Sequence, residues 1–254
     1  MTAALRVLGI VGTIGIVAIG CSHTSNDVDA GIAQTLTGGG AHTGSVTGEQ
    51  IPLSEATAQF YQQRGYQSAW TGNDGLNRRG RKVAAVLESS SDEELDPERY
   101  AYSTIRRLEA MATGADGEVE RGDVLRDLDL VVTSGLLLFA TDLAKGALDP
   151  RAVGLGWHID RGAAPGVAFL ESVAAGANAR ELTRALLPGA PQYAALKEAL
   201  TRYREIARNG GWPLIDHADL DVGQSQADLA TLRARLLAEG DPREVELAGP
   251  RRAA

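Results

Sequence analysis

The chain has 254 residues, of which 44% are hydrophobic, 23% charged and 5% aromatic, with 30 glycines. That hydrophobic fraction can bury a core and excludes global disorder, while few aromatics and many glycines favour small-residue helical packing over a β-sandwich. The 25 basic against 33 acidic side chains give a formal charge of −8, which speaks against a nucleic-acid partner. One cysteine excludes an intrachain disulfide framework and a Cys-rich metal site. The four histidines, His23, His42, His158 and His217, lack metal-ligand spacing, so neither metal nor cofactor is expected.

In chain order, the first element is an address. Val7 to Ile19 is an apolar run behind Arg6 and the α-amino group. As a helix it rises ~20 Å, short of a bilayer core of ~30 Å. A basic start, a short apolar stretch and small residues after it describe a secretory signal. The run ends Ala18-Ile19-Gly20-Cys21, which resembles a bacterial lipobox. That resemblance implies cleavage after Gly20 and acylation of Cys21; the alternative is an ordinary signal with a chance cysteine. Residues 1–20 are therefore expected to be a lipoprotein signal peptide. Ser22 to Gly48 is rich in Ser, Thr, Gly, Asp and Ala and lacks a sustained apolar period, so residues 21–48 are expected to be a flexible tether.

Residues 49–241 read as helices. Ser54 caps a first helix with Ala56, Phe60 and Arg64 on one face, closed by Gly65. Asn77 opens a second, with Val83, Val86 and Leu87 inward. Asp96-Pro97 and Asp149-Pro150 each pair an N-cap acid with proline at the first helical position. Ile105, Leu108 and Met111 continue a third helix. Arg121 to Lys145 is one long segment with Val124, Leu128, Val131, Leu138 and Leu143 on its buried side. Between Leu130 and Ala140 it is apolar nearly all round, the mark of a central core helix. Tyr193, Leu196, Leu200 and Tyr203 form a further stripe, begun near Pro191 and stopped by Asn209-Gly210-Gly211. Ser225-Gln226-Ala227-Asp228 opens a last helix as a capping box, with Leu229, Leu232 and Leu236 inward and Gly240 at its close. No alternating run is long enough for a strand, and residues 242–254 are expected to be a disordered tail. The fold class is all-α, a compact multi-helix bundle.

Candidate chemistry is sparse. Cys21 is the sole thiol, no G-x-S-x-G elbow exists, and Gly38 to Gly40 lack the Lys-Ser/Thr of a phosphate loop. Thr133-Ser134-Gly135 inside an apolar helix reads as a close-packing spot. Glu118, Glu120, Asp127 and Asp129 offer paired carboxylates for glycan cleavage; the competing reading has them solvating helix ends and faces. Trp70, Trp157 and Trp212 either stack on sugars or plug gaps between helices. Of the 25 basic residues 22 are arginines, and Arg78, Arg79 and Arg81 with Lys82 form the densest run. Cations at a helix start oppose the helix dipole, so the run is either a solvated face or a contact surface for carboxylates.

Several segments together resemble the scaffold domain of large bacterial murein L,D-transpeptidases. They are Phe60-Tyr61-Gln62-Gln63-Arg64-Gly65-Tyr66-Gln67-Ser68-Ala69-Trp70, Glu94-Leu95-Asp96-Pro97-Glu98-Arg99-Tyr100, and Asp127-Leu128-Asp129-Leu130 with Thr133. Asp142-Leu143-Ala144-Lys145-Gly146 with Asp149-Pro150-Arg151 follows. Then come Leu187-Pro188, Tyr193, Leu196, Tyr203-Arg204, Gly210-Gly211-Trp212-Pro213 and Leu232-Arg233-Ala234-Arg235-Leu236. Where this chain has Glu94, the family usually has glycine. The resemblance spans residues 51–241.

Family members continue into a peptidoglycan-binding module and a catalytic domain with an S-x-G-C-[IV]-R motif, and this sequence holds neither. No catalytic residue is therefore carried over. The resemblance implies a non-catalytic scaffold, lipid-anchored through Cys21 at the bacterial envelope and facing the periplasm, with Ser22 favouring the outer membrane of a Gram-negative host. Its implied partners are the membrane, and peptidoglycan or a transpeptidase catalytic partner. Arg78, Arg79, Arg81, Trp70, Trp157 and Trp212 are the candidate binding residues. Two alternatives stay open: a helical glycan-cleaving enzyme using paired carboxylates, and a truncated or split piece of a full transpeptidase.

Overall fold

The computed structural model describes residues 23–38, 43–44, 51–114, 120–150, 161–212, 214 and 226–239. The chain divides into two compact units, residues 1–188 and residues 189–254.

The first unit opens with a correction. Part of the stretch expected to be a tether is helix α1, His23–Thr37. Val28, Ile32 and Leu36 recur every fourth residue and are buried, and Asp29 Oδ1 accepts a hydrogen bond from the Ser68 backbone N–H at 2.8 Å. Three apolar residues among small and polar ones carry little signal alone; they form a face only because a partner helix covers them. A two-residue ladder follows, β1 (Thr43–Gly44) against β2 (Ile51–Pro52).

Helix α2, Glu55–Gln63, is capped by Ser54, whose hydroxyl accepts from Thr57 N–H at 3.1 Å. It buries Phe60 and Tyr61, and Arg64 lies over the Phe60 ring. A tight antiparallel hairpin, β3 (Thr71–Gly72) and β4 (Gly75–Leu76), leads to helix α3, Arg78–Glu88. Asn77 caps α3 and Val83, Val86 and Leu87 face inward, as expected. Asp96-Pro97 opens a 3-10 turn, Pro97–Tyr100, in place of a full helix. Ala101 then reverses into the left-handed region at φ +56° and helix α4, Tyr102–Thr113, begins. Ile105 and Leu108 are buried, but Met111 is exposed and Ala112 takes the inward position. A longer side chain does not decide the face when the next residue sits nearer the core.

Helix α5, Arg121–Lys145, has the expected bounds and is the core helix. It packs against α1, α3 and α4. Leu138, expected inward, is exposed, while Leu137 and Phe139 are buried. In a segment apolar all round, periodicity cannot choose the face. Gly135 is the expected close-packing spot: a Cβ there would stand 2.6 Å from the Tyr100 carbonyl oxygen. Helix α6, Val167–Ala175, and helix α7, Ala179–Arg184, complete this unit, with α6 against α2 and α7 against α3.

The second unit holds helix α8, Pro191–Arg208, and helix α9, Gln226–Glu239. Gly210 and Gly211, at φ +100° and +79°, stop α8 as the sequence requires. The Trp212 ring then lies 5.5 Å from that of Tyr203. No α8 side chain is buried, so its apolar stripe does not mark a core. The signal peptide, Cys21, the helix after Asp149-Pro150, the Ser225 cap, Gly240 and the 242–254 tail lie outside the described residues. Among the described residues no helix is long and apolar enough to cross a membrane.

Candidate functional site

The geometry starts from Asp129 of α5, which is wholly buried. One oxygen accepts from Tyr61 Oη at 2.6 Å and Ala69 N–H at 2.9 Å. The other accepts from Trp70 N–H, Thr71 N–H and Thr71 Oγ1, each at 2.8 Å. No cation is needed, because these donors together satisfy a buried carboxylate. Thr133, one turn further on, accepts from Trp70 Nε1 at 2.7 Å. Burial, and then the neighbouring Asp129 charge, push the Tyr61 hydroxyl well above the usual tyrosine range. The segment from Ala69 to Thr71 is thereby fixed to the core helix.

A second node lies near the other end of α5. Arg99 Nε donates to Asp142 Oδ2 at 2.5 Å and Tyr100 Oη donates to the same oxygen at 3.0 Å. Burial and Asp142 raise the Tyr100 hydroxyl, and the Asp142 hydrogen bond raises Arg99. Segments far apart in sequence therefore meet in pairs: Tyr61–Trp70 with Asp129 and Thr133, and Arg99-Tyr100 with Asp142. Their job is to set the register of the helices around α5.

That register positions a basic cleft. Asn77 N–H donates to the Trp70 carbonyl at 2.8 Å, and its side-chain amide donates to the Ala69 carbonyl at 3.0 Å. Its Oδ1 accepts from Arg79 N–H and Gly80 N–H at 2.8 and 2.9 Å. Gly80 permits this close approach, since a Cβ there would meet the Trp70 carbonyl oxygen at 2.2 Å. The start of α3 is thus locked to the segment that Asp129 holds. Opposite it runs the turn from α6 to α7, where Asn178 caps α7. Between them is a cleft of about 490 Å³ lined by Arg78, Arg79, Lys82, Val83, Val173 and Ala179, among others.

Of the arginines singled out from sequence, Arg78 and Arg79 line this cleft together with Lys82. Arg81 does not: its guanidinium donates to the Leu76 carbonyl and serves the fold. Trp70 is corrected as a binding candidate, because it is fully buried and its ring stacks on Phe60 at 6.2 Å. Trp212 is half-buried in the second unit, with Arg235 over its ring at 5.7 Å. Trp157 lies outside the described residues. Two of the four proposed carboxylates are buried and engaged: Asp129 is consumed as above, and Asp127 is buried against Arg126 at 2.9 Å. Glu120 is exposed at the start of α5, and Glu118 lies outside the described residues. Sequence reasoning missed the α6–α7 wall of the cleft, because only tertiary packing brings Val173 and Ala179 to α3.

Fold and site together define a helical scaffold built around one long core helix, with a basic cleft on its surface. A family model described as Scaffold domain matches residues 55–200, and the chain belongs to that family. The match bears out the resemblance to the scaffold domain of L,D-transpeptidases. It begins at the first residue of α2 and ends within α8. The comparison with curated proteins gave no match, and neither did the comparison with solved structures.

Proposed function

We propose that this chain is the non-catalytic scaffold of an L,D-transpeptidase-type system at the bacterial cell envelope, supporting peptidoglycan crosslinking or binding. The family match over residues 55–200 carries this reading. What the first unit does with its polar groups supports it: Tyr61, Asp129, Thr133, Arg99, Tyr100 and Asp142 all hold helices together. In this reading the chain is anchored through a lipid on Cys21, faces the periplasm, and works beside peptidoglycan or a catalytic partner.

The test is incubation of the purified chain with murein sacculi, followed by sedimentation and analysis of the soluble fraction. Retention on sacculi with no new muropeptides is the expected result. Release of new muropeptides would replace the scaffold with a glycan-cleaving enzyme, and absence of retention would remove direct murein binding. Mass spectrometry of envelope-extracted protein checks the anchor: an acylated Cys21 as first residue is expected, and a Met1 start would overturn it.

A further inference from the structure

The cleft between α3 and the α6–α7 turn has a charge pattern that the fold does not explain. Arg78, Arg79 and Lys82 line it, and among the described residues no acidic side chain does, in a chain where acids outnumber bases 33 to 25. Among the described residues, none of the three cations has a carboxylate within ion-pairing distance. Three like charges in the first turns of one helix repel each other and oppose the helix dipole. Their neighbour Arg81 shows the contrast, since its guanidinium is spent on the Leu76 carbonyl.

From this geometry we propose that the cleft binds a peptide carrying two or more free carboxylates. Arg78 and Lys82 are four residues apart and Arg79 and Lys82 three, so all three side chains leave α3 on neighbouring positions of one surface. Their heads are too many for one carboxylate and suit two, with the arginine forks gripping bidentately. The buried Val83, Val173 and Ala179 supply an apolar floor of short side chains, which suits methyl-sized groups on a peptide. A volume of about 490 Å³ falls within the range of small-ligand clefts. The site stands on these observations. Its natural ligand rests on the envelope reading, where the stem peptides of murein have this chemistry.

The experiment is calorimetric titration of the purified chain with a tetrapeptide of two alanines and two glutamates, its fully amidated counterpart, and inorganic phosphate. The carboxylate peptide should bind, more weakly as salt rises, and amidation should weaken it by about tenfold or more. Arg79→Ala with Lys82→Ala should lose about tenfold or more, whereas Arg79→Lys with Lys82→Arg should retain binding, both with an unchanged thermal midpoint. Equal binding of the amidated peptide, an indifferent Ala double variant, or phosphate binding as tightly as the peptide would each overturn the proposal. Sacculus retention separates the two readings. A double variant that loses the peptide and keeps sacculi relocates murein contact elsewhere. A chain that binds the peptide and ignores sacculi keeps the cleft and loses the murein role.

Discussion

Helices α5 and α8 are both long and both carry apolar residues three or four apart, yet they differ completely in burial. Sixteen of the twenty-five residues of α5 are buried, and none of the eighteen of α8. Charge number does not separate them, with seven charged residues in α5 and six in α8. Placement does. Residues 130–141 of α5 contain no charge, and its buried acids Asp127, Asp129 and Asp142 each meet donors. In α8 charges recur from Lys197 to Arg208 with no uncharged stretch longer than three residues. A core helix is thus defined as much by where its polar groups find partners as by its apolar stripe.

The most severe way to break that contrast is to remove the partner of the donors. Asp129→Ala leaves the Ala69, Trp70 and Thr71 amides and the Thr71 hydroxyl facing an apolar gap, while the Tyr61 hydroxyl keeps Thr133 Oγ1 at 2.6 Å. At ~1–3 kcal/mol for each unsatisfied buried group, relaxation and water entry notwithstanding, the loss should exceed ~4 kcal/mol. Chemical denaturation followed by circular dichroism measures it, and Asp129→Asn should be milder because it keeps an acceptor. Glu198→Ala on α8 is the matching control and should move stability by less than ~0.5 kcal/mol. A mild Asp129→Ala would mean that the node is not what registers α2 and α3 on α5.

Next in size is the α1 face. Ile32 is fully buried within the first unit, so Ile32→Ala should cost ~2–5 kcal/mol. A flexible tether would not register the change, and an unaltered denaturation midpoint would restore that description of residues 23–37.

What sequence made legible follows the same division. The bounds of α5, the Ser54 and Asn77 caps and the Gly210-Gly211 stop are local: capping chemistry and spacing suffice. The inward face of α5 near Leu138, the burial of α1 and the wall formed by Val173 and Ala179 are decided by neighbours distant in sequence. Of the candidate site, Arg78 and Arg79 could be read from their density, and their separation from Arg81 could not. Trp70 was ambiguous for the same reason, since an indole that stacks on Phe60 looks identical in sequence to one awaiting a sugar.

Alkaline pH sharpens the comparison by a smaller amount. Tyr61 and Tyr100 both face carboxylates of α5, and burial raises both hydroxyls. The folded chain therefore holds these protons more tightly than the unfolded chain. The stability involved is complete below the unfolded tyrosine value of ~10 and is lost as pH rises above it. The thermal midpoint should fall above about pH 10, and less steeply in Tyr100→Phe. Identical slopes in the variant and the native chain would remove Tyr100 from this linkage.

Glu94 offers a gain. It stands at φ +61°, closing the 3-10 turn Ser89–Glu93 in the left-handed region. Non-glycine residues there lose ~1–2 kcal/mol to steric contact, partly offset by glycine's greater freedom when unfolded. Glu94→Gly should therefore raise stability by ~0.5–1 kcal/mol, and a decrease would show that the Glu94 side chain contributes more than its backbone loses. That φ is a physical reason for the glycine that the resemblance in sequence leads one to expect at this point.

The smallest expected effect is on α8. Leu196 is 68% exposed, against 0% for Leu128 on α5, although both sit on apolar stripes at helical spacing. Truncating a side chain that water already reaches forfeits little transfer energy and opens no cavity. Leu196→Ala should then shift stability by less than ~0.5 kcal/mol, with alanine's better helix propensity acting in the opposite direction. Leu128→Ala, in contrast, should cost ~2–5 kcal/mol. The pair can be compared by urea denaturation of the same preparation, and a Leu196 variant as damaging as the Leu128 variant would show that a surface covers α8 in solution. In that event the difference between the two helices would be one of partner rather than of charge placement.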